Sequence, residues 1–281
     1  MASYFRLRHM MTRRLLANLI LLVLSVFSPL FAQSSSPHPE STDKVAVVTA
    51  TQLNAEEART KADAVLAKYV TALGGQAAME KITSRVSKGR FELSGVSTSG
   101  PVELYAKAPN LRLVVFKLPR QQVAEDGFDG HAGWELTPDD GVKDKTGLEL
   151  GSFARDSDFY QPLKLRQQYP NLFYKGTAKL ELGKASGKIE DCETLVLEAP
   201  RAGSPRRFFF DSVTGLLLRT EDWNAAGKMD EATEYQDYRM VDGVKVPFII
   251  NQIENVVFTI KFTEVKHNVP IDDSIFVKPK K

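Results

Sequence analysis

Apolar residues recur at three- and four-residue steps along one early stretch, Glu56–Leu73. The repeating positions are Ala58, Ala62, Val65, Leu66, Tyr69, Val70 and Leu73. This spacing predicts an amphipathic α-helix with Asn54 as its N-cap, ended by Gly74 and Gly75. A shorter helix is expected over Gln76–Ile82. One isolated amphipathic helix needs a partner surface, and we expect that partner to be a sheet.

From Ser84 onward the pattern changes to short runs of partly alternating apolar and polar residues between turn residues. The expected strands are 85–94, 101–107, 111–118, 122–128, 134–137, 171–174, 177–184, 192–199, the two runs of a hairpin at 206–223, 232–240, 246–252 and 257–265. Too little chain separates them for helical crossovers, so the pattern predicts an antiparallel meander. Weak helical spacing in Gly147–Pro170 predicts one or two short inserted helices.

The hairpin at Arg206–Trp223 departs from the usual strand pattern. Phe208–Phe210 and Leu216–Leu218 flank the turn-forming cluster Asp211–Gly215, yet neither run alternates as a strand with one wet face should. Something apolar must therefore cover both faces, or one face must line an apolar hollow. We assign Leu217 to the face of Phe209, together with Arg219 and Glu221, and Leu216 and Leu218 to the face of Phe208 and Phe210.

Choosing one parity for each strand gives a predicted inner face that is strongly apolar. Its residues are Phe91, Leu93, Leu104, Leu195, Leu197, Phe208, Phe210, Leu216, Leu218, Phe248, Ile250, Phe258, Ile260 and Phe262. Removing each large side chain from water is worth about 1.5–3 kcal/mol, so this face must be covered. Helices, sheet curvature or a ligand would cover it. The alternative, that the face packs on itself without a cavity, stays open at this point.

The N-terminus has the order of a secretory signal peptide. A basic segment is followed by the apolar run Leu15–Phe31 and then by Ala32. We therefore expect a cleaved signal peptide at 1–32, a flexible linker at 33–55 and a single domain at 56–281. An uncleaved inner-membrane anchor is the alternative, because the apolar run is near the lower length limit for a spanning helix.

Composition and motifs favour no enzyme class. The formal net charge of +2 gives no reason to expect nucleic acid as a partner. The sequence has no zinc motif, nucleophile elbow, P-loop or dinucleotide-binding glycine pattern, so no catalytic residue, metal or cofactor is predicted. The only cysteine, Cys192, is expected to be a small buried hydrophobe. His131 and the acidic pairs Asp139–Asp140 and Asp272–Asp273 are expected in turns or caps.

Several segments, in order, resemble exported bacterial proteins of the LolA-like outer-membrane lipoprotein-sorting superfamily, which includes LppX-like and RseB-like domains. The nearest group is one common in soil bacteria. The segments are A-L-G-G-Q-A-A-M-E-K-I (72–82), K-G-R-F-E-L (88–93), V-E-L-Y-A-K-A-P-N (102–110), F-D-G-H-A-G-W-E (128–135), F-F-F-D-S-V-T-G-L-L-L-R (208–219), D-Y-R-M-V-D-G-V-K-V-P-F (237–248) and P-I-D-D-S-I-F (270–276).

This resemblance implies a mostly β (α+β) fold: an unclosed antiparallel β-barrel of about ten or eleven strands wrapped over the N-terminal amphipathic helix and the short inserted helices. It also implies a periplasmic, non-enzymatic carrier of lipids or lipoprotein acyl chains, held in an apolar cavity lined by the predicted inner face. Its partners would be a lipid or an acylated protein, together with a membrane or envelope protein. The alternative is an envelope sensor or protein-interaction domain without a cavity, with Tyr105, Tyr160 and Trp223 as exposed contacts.

Overall fold

The computed structural model describes residues 47–95, 98–183, 190–200 and 205–280. The expected signal peptide and the first part of the expected linker lie outside these residues. The helices are α1 (Ala55–Leu73), α2 (Gln76–Met79), α3 (Gly147–Asp156) and α4 (Gln161–Gln168), with 3-10 turns at Pro119–Gln121 and Asp273–Phe276. The strands are β1 (Val48–Ala50), β2 (Ser84–Leu93), β3 (Thr98–Lys107), β4 (Leu111–Lys117), β5 (Val123–Phe128), β6 (Gly133–Thr137), β7 (Gly141–Asp144), β8 (Phe173–Leu182), β9 (Glu190–Ala199), β10 (Arg206–Asp211), β11 (Leu217–Trp223), β12 (Met229–Val241), β13 (Val244–Ile253) and β14 (Val257–His267).

The strands form one antiparallel sheet that is not closed into a barrel. Its order is β1-β8-β9-β10-β11-β12-β13-β14-β2-β3-β4-β5-β6-β7. The predicted fold class is therefore confirmed: mostly β, with few helices and one large antiparallel sheet that is not closed. The described residues form fourteen strands, where the resemblance implied about ten or eleven. Among the strands that the pattern did not predict are β1 and β7, which have three and four residues, too few to show alternation.

Strand β1 lies inside the stretch that we expected to be linker. Val48 pairs with Ala178, and Ala50 pairs with Gly176 of β8. Gly176 has a φ of +151°, and a Cβ atom there would lie 2.0 Å from the carbonyl oxygen of Thr49. Only glycine therefore allows β1 to approach β8 so closely.

The contacts divide the described chain into two compact units. The first unit comprises residues 83–159 and 264–280, and the second comprises residues 47–82 and 160–263, both with the gaps given above. A single domain over 56–281 stays a prediction.

In the second unit, α1 has the cap and the buried stripe that its sequence predicts. Asn54 and Glu57 form a reciprocal capping box, in which each side chain accepts from the other's backbone N–H at 2.9 and 3.0 Å. At the other end, the backbone N–H of Gly75 donates to Val70 O. The buried residues are Ala58, Ala62, Val65, Leu66, Tyr69 and Leu73. Burial of this stripe, rather than helix propensity alone, stabilises the helix.

In the first unit, the C-terminal 3-10 turn packs on one side of the sheet. Phe276 is fully buried against Leu113 and Trp134, and Ile271 packs against the same cluster. The indole Nε1–H of Trp134 donates to Phe276 O at 3.3 Å. Ile271 and Phe276 therefore anchor the tail. Within the described ranges, no helix combines the length and apolarity required to cross a membrane.

Candidate functional site

Most of the predicted inner-face residues of the second unit lie on one face of its sheet. Leu197 pairs with Phe208, and Leu195 pairs with Phe210. Directly opposed residues share a face, so the strand registers and the alternation along each strand extend this face to β14. We call this surface the phenylalanine face: Leu195, Leu197, Phe208, Phe210, Phe248, Ile250, Phe258, Ile260 and Phe262.

Leu218 lies on the opposite face, contrary to our assignment. Phe209 pairs with Arg219, but Phe210 pairs with Leu217, so the register shifts between them. Leu218 packs against the cluster of Phe209, whereas Leu217 lies opposite Phe210 on the phenylalanine face. A bulge of this kind inserts one residue and reverses the parity beyond it. We call the opposite surface the Phe209 face.

Arg219 and Glu221 lie on the Phe209 face, as expected, and both are buried. The guanidinium of Arg219 lies 3.0 Å from Glu221 and 3.1 Å from Glu234. Burial raises the pKa of Glu221, against the opposing effect of Arg219. The positive charge of Arg219 offsets part of the negative charge of Glu221 and Glu234. We interpret these three residues as a structural element of the sheet.

Helical side chains close the phenylalanine face at its centre. The Tyr69 ring of α1 meets Phe210 edge-on at 5.2 Å between centroids. Tyr169, which follows α4, meets Phe208 in the same way at 5.2 Å. Phe208 and Phe210 are 3% and 0% exposed. Leu195 and Ile250, on the same face, are only partly buried.

The first unit carries the remaining predicted residues, Phe91, Leu93 and Leu104. The registers place all three on one face, with Leu104 opposite Val114. Phe91 is buried and meets Phe116 edge-on at 5.5 Å. Leu104 is partly buried.

A buried charged cluster lies further along this face of the first unit. Lys145, with 1% of its side chain exposed, has its Nζ 3.2 Å from Asp126, 4.0 Å from Glu135 and 3.1 Å from Glu149. Phe153 of α3 covers it, with Lys145 Nζ 5.0 Å from the ring centroid. Burial raises the pKa of Asp126 to about 6, although Lys145 and Arg112 oppose the rise, and burial also raises the pKa of Glu135.

Sequence reasoning missed the charged cluster. We did not single out Asp126, Glu135 or Lys145. One signal was present: Asp126 stands between Ala124 and Phe128, at the apolar parity of β5. A carboxylate in such a position is either an error of parity or a buried ion with a partner.

A cavity of about 570 Å³ is present in the second unit. Two of the predicted inner-face residues line it, Leu216 and Leu218. The full lining is Leu182, Gly183, Cys192, Asp211, Thr214, Leu216, Leu218, Tyr235, Gln236, Asp237, Tyr238 and Ile249.

The remaining polar candidates have structural contacts. Asp272 accepts from the backbone N–H of Ser274, which lowers its pKa, and Asp273 pairs with Lys107 at 2.6 Å. His131 lies in an exposed turn, where Asp129 accepts from its backbone N–H. Cys192 is partly buried and forms no disulfide. Within the described part of the chain, no three His, Cys, Asp or Glu side chains converge as metal ligands.

Comparison with known proteins identifies the fold only. No protein-family model matches the chain, and no curated protein is significantly similar to it. The chain is similar in structure to a DUF1329 family protein from Desulfovibrio piger, with a TM-score of 0.51 and 14% identity over 77% of this chain and 97% of that one.

Two other solved structures have TM-scores below 0.5 and add nothing to this statement. One is a LolA superfamily protein from Nitrosomonas europaea, with a TM-score of 0.48 and 14% identity over 77% of this chain and 97% of that one. The other is an outer membrane lipoprotein-sorting protein domain from Vibrio parahaemolyticus, with a TM-score of 0.48 and 13% identity over 79% of this chain and 97% of that one.

Proposed function

We propose that the protein is an exported, periplasmic, non-enzymatic carrier of lipid or lipoprotein acyl chains. The phenylalanine face is the observation that carries the proposal, because it places nine large apolar and aromatic side chains of β9, β10, β13 and β14 on one face of the sheet. Apolar surface of this kind binds acyl chains with about 0.8 kcal/mol per buried CH₂. Two or three chains would give firm but reversible binding.

A ligand would displace helix α1, which covers part of the phenylalanine face. Its aromatic contact with the face is the edge-on packing of Tyr69 against Phe210. Exchanging an apolar ring contact for an acyl chain does not bury a new charge. The partly buried Leu195 and Ile250 mark where an acyl chain would first contact the face. Phe91, Leu93 and Leu104 remain predicted lining residues in the first unit.

The test is lipid extraction and native mass spectrometry of the purified protein, followed by uptake of a fluorescent fatty acid. Ile250 and Ile249 form a matched pair, because they are adjacent in β13, both partly buried, and on opposite faces. We expect Ile250→Asn to reduce uptake severalfold and Ile249→Asn to leave it unchanged. Absence of co-purifying lipid together with absence of uptake would overturn the proposal, as would equal losses in the two variants.

The second candidate is an envelope sensor or interaction domain that uses the same fold without a cavity. The closure of Phe208 and Phe210 by tyrosine rings favours it. Tyr105, Tyr160 and Trp223 were expected to be its exposed contacts. They are partly buried and therefore do not form an exposed contact surface. Their polar atoms donate to Glu103, Ile82 O and Glu221. This candidate would be supported if the purified protein took up no fatty acid but bound an envelope protein.

A further inference from the structure

The cavity in the second unit is separate from the phenylalanine face. Leu182, Cys192 and Leu218 belong to the cluster around Phe209. Gln236 pairs with Ile249, and the adjacent pair of Tyr235 and Ile250 lies on the opposite face of the sheet. The floor of the cavity is therefore built mainly from the Phe209 face, on the side of the sheet opposite Phe208 and Phe210.

The size and floor of the cavity suit a small ligand with an apolar body. Its volume of about 570 Å³ falls in the range of about 300–1,000 Å³ that is usual for small-molecule sites. Leu182, Leu216, Leu218 and Ile249 supply branched aliphatic surface, and Cys192 adds a weakly polar thiol. An alkyl chain or an aromatic ring would bury this surface.

The charge of the lining is one-sided. Among the described residues, the lining contains two aspartates and no lysine, arginine or histidine. Arg239 neutralises Asp237 through two guanidinium nitrogens, the closer contact being 2.6 Å. Asp211 accepts from the backbone N–H groups of Val213 and Thr214 through Oδ1, and no cationic side chain of the described residues pairs with it. The cavity therefore favours a cation over an anion.

We propose that this cavity is a second ligand site, which takes a small amphiphile with a protonated amine head and a single alkyl or aromatic body. The amine donates to the Oδ2 of Asp211, which turn formation leaves available, and the body packs on Leu218 and Ile249. This site goes beyond the proposed carriage of acyl chains, because it lies on the other face and selects the opposite head-group charge.

The single cysteine allows a direct measurement at this site. Cys192 lines the cavity and is the only cysteine of the chain. Its alkylation by iodoacetamide can therefore be followed by intact-mass spectrometry with dodecylamine, dodecanol or dodecanoate present below micelle-forming concentrations. We expect dodecylamine to slow alkylation and to bind about tenfold more tightly than dodecanoate, the scale of one hydrogen bond to a charged group.

Asp211→Asn tests the head group without removing the turn, because the amide oxygen still accepts from the backbone of Val213 and Thr214. We expect this variant to lose the preference for dodecylamine. Asp129→Asn is the matched control, since Asp129 Oδ1 accepts from two backbone N–H groups in a similar turn, at 2.9 and 2.7 Å. The preference should survive in this control.

Three results would overturn the proposal: no protection of Cys192 by dodecylamine, equal protection by dodecanoate, or an unchanged preference in Asp211→Asn. Ile249→Asn should weaken protection and Ile250→Asn should not, the reverse of their expected effects on fatty-acid uptake. Failure at this cavity and failure of the acyl carrier are thus distinguishable.

Discussion

In each unit, helices cover one face of the strands. The side chains beneath this cover are apolar in the second unit and charged in the first. In the second unit, α1 and α4 bring tyrosine rings onto Phe208 and Phe210. In the first unit, Phe153 of α3 covers Lys145 and its carboxylate partners. An apolar face accepts any apolar cover of suitable shape, whereas a buried ion requires one partner in one position. The second unit is therefore the better place for exchange with a ligand, and the charged cluster fixes α3 in register.

Phe210→Ala tests the apolar side of this comparison with the largest expected effect. Phe210 is fully buried and contacts Tyr69 and Phe208. Its truncation should lower the free energy of unfolding by about 3–5 kcal/mol, measured by urea denaturation. Val213→Ala, at an 82% exposed position in the same hairpin, should change it by less than about 0.5 kcal/mol. Similar losses in both variants would show that the face is not the core of the unit.

Lys145→Met tests the charged side. It leaves Asp126 and Glu135 buried without their cation, so the free energy of unfolding at pH 7.5 should fall by about 3–5 kcal/mol. The loss should shrink at pH 5, where these carboxyl groups take up protons. Lys143→Met is the control, because Lys143 is 48% exposed and pairs only with an exposed Asp140 among its described neighbours. A loss that stays the same at both pH values would contradict the ionic explanation.

Asp126→Asn separates the cost of burying a charge from the loss of a partner. Burial raises the pKa of Asp126 from 3.8 to about 6, so the folded state binds this proton more tightly than the unfolded state. The resulting stability is present below pH 4 and is lost as the pH rises through 6. At 1.36 kcal/mol per pKa unit, the loss is at most about 3 kcal/mol. Unfolding at pH 4 and pH 7.5 should show this decline in the parent chain and not in the variant; parallel profiles would refute it.

Asn54→Ala gives the smallest effect and tests α1 as a cover. Loss of the capping box should lower the free energy of unfolding by about 1 kcal/mol. The exposed neighbour Gln52 gives the control Gln52→Ala, which should be silent within about 0.5 kcal/mol. If α1 is the exchangeable cover, fatty-acid uptake should also become faster in Asn54→Ala. A slower uptake would place the entry route elsewhere.

Periodic segments were the predictable part of this molecule. The spacing of Ala62, Leu66, Tyr69 and Leu73 predicted α1 and its buried side, because helical period and burial are directly coupled. Side chains alternate between the two faces of a strand, so the sequence predicted that Phe208 and Phe210 lie on the same face. The polar residues Arg206, Arg207 and Asp211 mark the ends of this short strand.

Irregular and ionic features were not predictable in the same way. Three consecutive leucines, 216–218, carry no polar marker, so the bulge that moves Leu218 to the Phe209 face leaves no trace in the pattern. The cluster around Lys145 joins residues from β5, β6 and α3, and no local period connects them. Strand β1 was missed because its pairing depends on a glycine 126 residues away from Ala50.

That glycine has a consequence for association between molecules. Without β1, the outer strand of the second unit would present a row of unpaired N–H and C=O groups, which is a template for pairing with another chain. Residues 48–50 occupy part of this row, and Gly176 allows them to do so. Residues 48–50, which lie in the stretch predicted to be a linker, thus oppose edge-to-edge aggregation by occupying these backbone groups. A cut made just before Leu53 would remove β1 while keeping Asn54, the N-cap of α1, and the other strands of the described residues.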